Sequence, residues 1–313
     1  MSRIEALLVD DTAGDPMTGL KWSRKSTRSV SKALAAEGMA ACPNTVAACL
    51  KDLDFSLQRN RKSIGETHHP QRDEQFRHLN TLKARFQDRG QPIISVDSKK
   101  RELVGLFLNP GQTWCWLPPE VLTHDFRSQS VGVALLYGIY DLQMNAGTMV
   151  VGTSHDTAEF AVDAIDTWLT SYGWFHHPQM KELLVLCDSG GSNGVRTHLW
   201  KYCLFERLAQ RYGLPVTVGH YPPGASKWNP IDHRLFSFIS LNWAGVPLES
   251  YAVILNHIRN TTTETGLSVD ATLNRKRYDT GKKISPEQYE QIAIQHDRIL
   301  PQWNYTIRPC HAN

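Results

Sequence analysis

Three aspartates stand where side-chain chemistry would need them. Asp97 follows the apolar run Ile93-Ile94-Ser95-Val96, Asp188 ends the run Leu183-Leu184-Val185-Leu186-Cys187, and Asp232 opens an amphipathic segment. They lie 91 and 44 positions apart, too far for one local motif. An apolar run closed by an acid reads as a buried strand, and strand ends of an open sheet converge on one crevice. Carboxylates gathered there repel one another unless a cation shares them. Hard divalent ions prefer oxygen donors. Two of them side by side activate a hydroxyl, stabilise a leaving oxygen and neutralise a phosphoryl group in transfer. Asp97, Asp188 and Asp232 are therefore the expected catalytic and metal-binding residues of a phosphodiester-transfer site holding two Mg2+ or Mn2+ ions. Taken singly, each also reads as an ordinary strand-end or helix-end acid; the three together carry the expectation.

The surrounding rhythm supplies the elements. PIISVDSKK reads as a strand, LVGLFLN as a second, and SVGVALLYGIYDL with TMVVGTS as further strands. DTAEFAVDAIDTWLTSYGWF then reads as a helix, ELLVLC as a buried strand, and VRTHLWKYCLFERLAQRYG as a helix stopped by Gly213. PVTVGHYPP is the last predicted strand and WNPIDHRLFSFISLNW a third helix. Consecutive strands followed by strand–helix alternation imply an α/β fold. The expected architecture is a mixed sheet flanked by helices, ribonuclease-H-like (retroviral-integrase-like) in its order.

Upstream, STRSVSKALAAEG reads as a helix capped by Ser26, with Val30, Leu34 and Ala35 as its apolar stripe and Gly38 at its end. A short turn leads to a second helix with Asn44 at its cap and Val46, Cys49, Leu50 and Leu53 inward. That pair matches a helix-turn-helix module whose second helix presents Asn44, Thr45, Ala48 and Lys51 to a DNA groove. The basic run Arg59, Arg61 and Lys62 follows as a phosphate-binding flank. Residues 70–89 form a polar helix with a thin stripe of Phe76, Leu79, Leu82 and Phe86. The expected organisation is an N-terminal arm over 1–20, the helix-turn-helix module over 21–64 and a connector helix over 65–90. A catalytic domain over 91–265 and a C-terminal tail over 266–313 complete it.

Composition narrows the class. The 313 residues are 41% hydrophobic and 21% charged, the balance of a globular protein. No apolar run is long enough to cross a membrane and the N-terminus does not read as a signal peptide, so a cytoplasmic protein is expected. Six scattered cysteines form no C-x-x-C pair and read as reduced thiols. Net charge is only +3, but residues 21–62 hold nine Lys or Arg against three acids. That stretch carries +6 and the remainder −3, the pattern of a basic, polyanion-binding appendage on a near-neutral body.

The blocks SVDSKKRELVG, YGIYDL, HDTAEFAVDAI, DSGGSNGVRTHLWK, HYPPGASKWNPIDHRLFSFIS and WNYTI resemble the Rhodopirellula-type insertion-sequence transposases, a bacterial DDE family. The resemblance runs from about Asp15 to Ile307. It implies cleavage and strand transfer at the ends of a mobile element, acting on double-stranded DNA at terminal inverted repeats and at a target. A homo-oligomer holding two DNA ends is implied by analogy. By motif, Asp97 is the first acid and Asp188 the second. The third position is usually glutamate in that family, and here it is Asp232. The resemblance also implies shortening at the N-terminus, since family members carry more helical sequence before the point matching residue 1.

Several secondary residues keep two readings. Lys99 and Lys100 beside the first acid, and Lys227 and Arg234 beside the third, either hold DNA phosphates or are solvated charges. Asp156, with Thr157 and Glu159, reads as a helix N-cap sooner than as a fourth ligand. Asn193 and the glycines of DSGGSNG let backbone approach a phosphate, or form a plain turn. Trp228 stacks on a base or packs beneath the last helix. Two rival functions remain: a catalytically inactive, truncated transposase-derived DNA-binding protein, and a serine hydrolase using Ser192 of Gly190-Gly191-Ser192-Asn193-Gly194.

Overall fold

The computed structural model describes residues 2–8, 12–14, 21–23, 26–53, 55, 69–225 and 228–310. The chain divides into two compact units, Met1–Gly65 and Glu66–Asn313.

In the smaller unit, α1 (Ser2–Leu8) precedes a two-stranded antiparallel ribbon of β1 (Thr12–Gly14) and β2 (Lys21–Ser23). Helices α2 (Thr27–Ala36) and α3 (Pro43–Asp52) follow. Ser26 caps α2 by accepting from the Ser29 N–H at 3.1 Å. Gly38, at φ +82°, takes the left-handed conformation that ends it. The cap of α3 is Cys42, not Asn44: Pro43 at the first helical position moves the boundary two residues upstream. Val30, Leu34 and Val46 form the core, and Ile4 of α1 joins them, so part of the expected arm belongs to the packed unit. Ala35, expected in the stripe, is exposed.

In the larger unit, α4 (Arg72–Asp88) leads into a sheet of eight strands. Its first three are antiparallel neighbours: β3 (Ile93–Val104), β4 (Gly132–Asp141) and β5 (Ala146–Gly152). Helix α5 (Ala158–Trp168) continues through a π-helical stretch, Leu169–Gly173, into the short α6 (Trp174–His176). Then come β6 (Leu183–Cys187), α7 (His198–Leu204) with its π-helical extension Phe205–Gln210, and β7 (Val216–His220). The π-helical turn Asp232–Phe236 runs into α8 (Ser237–Asn242), followed by α9 (Tyr251–Arg259) and β8 (Ser268–Asn274). Finally, α10 (Pro286–Glu290), β9 (Ile294–His296) and β10 (Asn304–Ile307) complete the unit. The spatial order is β8-β5-β4-β3-β6-β7-β10-β9, with β6 parallel to β3 and β7 parallel to β6. This is the ribonuclease-H-like arrangement, a mixed sheet covered on both faces.

One face packs against α5 and α7 through Ile94, Val96, Phe160, Ile165, Val185 and Trp200. The other packs near β4 and β5 against the Asp232 turn, α8 and α9. Near β6 it packs against Leu79, Leu82 and Phe86 of α4. The stripe expected on a connector is thus a core layer of this unit.

Two further expectations are corrected. The strand expected at LVGLFLN does not form: β3 runs on to Val104 across a bulge between Lys99 and Glu102, and residues 105–131 contain no strand. Residues 266–313, expected as an irregular tail, contribute β8, β9 and β10. In particular, β10 inserts beside β7, pairing Asn304 with Gly219 and Ile307 with Val216. Among the described residues, no helix is long and apolar enough to cross a membrane.

Candidate active site

The register of two parallel strands brings the first two acids together. Ile93 pairs with Leu184 and Val96 with Cys187, so Asp97 and Asp188 leave neighbouring strands at the same level. Parallel neighbours lie about 4.8 Å apart, which fixes these two residues side by side. Asp97 is not at a strand end; it sits mid-strand, opposite Gly138 of β4. Its carboxylate accepts the Ser98 N–H at 2.7 Å.

Asp232 comes from the helical turn packed on the face of the sheet to which Gly138, the partner of Asp97, points. Its helical turn lies close against β4 and β5 because two glycines leave room there. A Cβ on Gly138 would meet the Phe236 ring, with Cζ at 2.9 Å, and Ile231 Cδ1 at 3.0 Å. A Cβ on Gly147 would run into Leu235.

The electrostatics agree with this convergence. Burial and the field of Asp188 push the Asp97 carboxyl up to about 7, with smaller contributions from Asp232 and Asp156. Burial and Asp232 raise the Asp188 carboxyl, and burial raises that of Asp232. Acting the other way are the Ser98 N–H on Asp97, the Asn229 amide on Asp188 and His233 beside Asp232. The acids thus share a field that, among the described residues, His233 beside Asp232 opposes with positive charge, and their hard oxygen donors fit divalent metal. Among the described residues, no three His, Cys, Asp or Glu side chains are already grouped around one ion position, so the acids share a field but not a closed cage.

Two contributions were missed by the sequence reading. Asp156 is not the cap of α5; Thr157 is, accepting the Phe160 N–H at 3.2 Å. Asp156 instead lines the same cavity of about 460 Å3 as Asp97 and Asp188, and its Oδ1 is buried without a hydrogen-bond partner. Asn229, fully buried, donates from Nδ2 to Asp188 Oδ1 at 3.3 Å. The hydroxyl of Ser95, two residues before Asp97, donates to the side-chain Oδ1 of Asn229. Asn229 thus links the first two strands to the chain segment that carries Asp232. The Asn-Pro pair three residues before Asp232 was its only signal in sequence. Beneath Asp188, His220 hydrogen-bonds its carbonyl oxygen at 2.9 Å and the Tyr305 hydroxyl at 3.1 Å, so the late strand β10 supports the second acid.

The remaining predicted residues fall as follows. Lys99 pairs with Glu102 at 3.0 Å and lies over the Trp243 ring, so its charge is engaged within the protein. Arg234 and Lys100 are both exposed. Trp228 takes the Arg72 guanidinium at 4.2 Å over its ring and the edge of Phe76, packing on α4. Ser192 donates to its neighbour Asn193 at 3.0 Å and no histidine among the described residues pairs with it, which speaks against the hydrolase reading. Asn44, Thr45, Ala48 and Lys51 are exposed on α3. Arg59, Arg61, Lys62 and Lys227 lie outside the described residues.

Solved structures to which the chain is similar at 14% identity include three of Mos1 transposase. They are the Mos1 transposase paired-end complex with left transposon end (TM-score 0.42), a pre-cleavage Mos1 transpososome (0.43) and the Mos1 mariner paired-end complex with Mn (0.41). Each match covers 81% of this chain and 68% of that chain. No curated protein matches by sequence. The family model for the Rhodopirellula transposase DDE domain matches residues 3–309, almost the whole chain. The chain therefore belongs to the Rhodopirellula transposase DDE domain family and is a DDE transposase, an enzyme of polynucleotidyl transfer.

Proposed function

We propose that Asp97, Asp188 and Asp232 are the catalytic, metal-holding acids, and that the enzyme cuts and rejoins double-stranded DNA at the terminal inverted repeats of its element. The observation that carries this reading is the shared field of the three acids, strongest at Asp97. Two divalent ions, Mg2+ or Mn2+, supply when bound the activated hydroxyl, the stabilised leaving oxygen and the charge neutralisation that phosphodiester transfer needs. The chain's own contribution is position. Asp97 and Asp188 are held on rigid neighbouring strands, and Asn229 fixes which way the Asp188 carboxylate faces. Asp232 closes the set from a helical turn seated on Gly138 and Gly147. Asp156 adds a fourth carboxylate to the crevice wall.

Recognition is assigned to α3, where Asn44, Thr45 and Lys51 face away from the core of their unit, with Arg59, Arg61 and Lys62 as phosphate contacts. Arg234, Lys227 and Lys99 would steady DNA beside the acids, Lys99 only if it leaves Glu102. Two protomers on two DNA ends complete the assembly. The test is strand cleavage on the element's own terminal DNA, with Mg2+, with Mn2+ and in excess chelator. Cleavage that survives chelation would sink the metal mechanism.

A further inference from the structure

A second cavity, of about 710 Å3, adjoins the crevice of the acids; Ser189, Gly190, Gly191 and Pro223 belong to both walls. Lys201 of α7 lines it. That side chain is only 7% exposed, yet no carboxylate or hydrogen-bond acceptor holds its ammonium among the described residues. Its ammonium lies over the Tyr305 ring, 5.1 Å from the centroid, and its charge also acts on His220. The stem is buried while the ammonium reaches the cavity, where an aromatic face alone is a weak partner for its charge. Burial accordingly lowers its pKa from the ordinary lysine value, with no acid acting against the shift. An anionic ligand in the cavity would supply the counter-charge that the described residues lack. Arg196, exposed and likewise without a carboxylate partner among the described residues, stands on the same wall. On the wall that the two cavities share, a Cβ on Gly190 or Gly191 would meet nothing within 4 Å, so open space adjoins both glycines.

We propose that Lys201, with Arg196 beside it, binds a backbone phosphodiester of the DNA strand being cut, flanking the phosphate that the acids process. This rests on the reading of DNA as the substrate of Asp97, Asp188 and Asp232. The division of labour is physical: one cavity is walled by carboxylates that require metal, its neighbour by cations that require an anion. Neither could take the other's ligand.

The test is binding of fluorescein-labelled oligothymidine of about ten nucleotides to the full-length protein in chelator, across a salt series. Single-stranded probe and absent metal keep base reading and chemistry out of the measurement. Lys201→Met, with a stem of similar length, should weaken binding about fivefold near 50 mM salt and flatten the salt slope by about 0.7, the share of one neutralised phosphate. Lys201→Arg should keep affinity and slope. The Lys201→Met melting temperature should match or exceed the parent's, and Lys201→Gln serves as a second uncharged variant if methionine disturbs folding. Unchanged affinity and slope in Lys201→Met, while the parent cuts terminal DNA, would overturn this pocket and leave the substrate reading standing. A parent that neither binds oligothymidine nor cuts DNA would overturn both. Calorimetric binding of inorganic phosphate that disappears in Lys201→Met, with oligothymidine binding unchanged, would assign the pocket to free phosphate and overturn the DNA assignment.

Discussion

Replacing Gly138 by alanine tests how the third acid is held. Gly138 pairs with Asp97 across the sheet, and its backbone is one that any L residue adopts. On backbone grounds alone, Gly→Ala would therefore stabilise the fold by about 0.4–1 kcal/mol. The new Cβ, however, sits 2.9 Å from Phe236 Cζ and 3.0 Å from Ile231 Cδ1, and closer still to the ring edge. Ordinary carbon contacts start near 3.5 Å, so the ring must retreat by about 0.6 Å or more. Phe236 and Ile231 are both buried, and they bracket the turn that begins at Asp232. Neither has room to swing aside, so the helical turn itself must lift from the sheet. Overpacking of this kind costs about 1–3 kcal/mol, which outweighs the backbone gain. At about 2–4 °C per kcal/mol for a unit of this size, the melt should fall by several degrees. Cleavage should fall by about tenfold to a hundredfold, because displacement approaching 1 Å at a metal-holding acid is costly. Adding Phe236→Leu should recover part of both effects, since the two side chains meet directly. The assay is metal-dependent cleavage of terminal DNA alongside thermal melts. A Gly138→Ala protein that melts and cuts like its parent would show that Asp232 is not positioned by this packing.

Three further outcomes are expected. Asp97→Asn and Asp188→Asn should each lower cleavage about 10³-fold or more while melting no lower than the parent, because burial already opposes charge at both sites; an active, well-folded Asp97→Asn protein would refute the assignment. Asp232→Glu restores the residue usual in the family and should match or exceed the parent in cleavage. A tenfold loss there would mean that the helical turn is set for the shorter side chain. Replacing Arg59, Arg61 and Lys62 together by alanine should weaken duplex binding and flatten its salt slope by about 0.9 for each phosphate left unneutralised; an unchanged slope would leave that run a solvated surface.

The central elements were legible because their signals were local and strong. An unbroken apolar run such as Leu183–Cys187, ended by an acid and glycines, permits little besides a buried strand and a turn. Asp97 and Asp188 were found by the same logic, and only the register of β3 with β6 was needed to join them. Asn44 was misplaced as a cap because Pro43 occupies the first helical position, where a missing N–H does no harm. Asp156 and Thr157 are both good caps, and only three-dimensional packing decides which one turns to the helix. The role of α4 was hidden by its polar outer face, and by Gln75. That residue looks solvated in sequence but is fully buried, exchanging hydrogen bonds with Asn304 at 2.8 and 2.7 Å. Both partners lie 229 positions apart, beyond any periodicity argument. The alternation Val269, Ala271, Leu273 was a usable strand signal for β8, whereas β10 has four residues and takes its identity from β7.

The insertion of β10 beside β7 bears on when the enzyme becomes competent during its own synthesis. Until residues 304–307 leave the ribosome, β7 is an open edge, and His220 lacks the Tyr305 hydroxyl that steadies it beneath Asp188. A growing chain can gather its helices early, but this pairing joins positions nearly ninety residues apart and forms late. Translation halted upstream of β10 would therefore release a polypeptide with all three acids, an unguarded strand edge prone to self-association, and a poorly supported second acid. Such a product should be cleared or aggregate before it could nick a chromosome. The order of strands thus makes completion of the polypeptide a condition for cutting DNA.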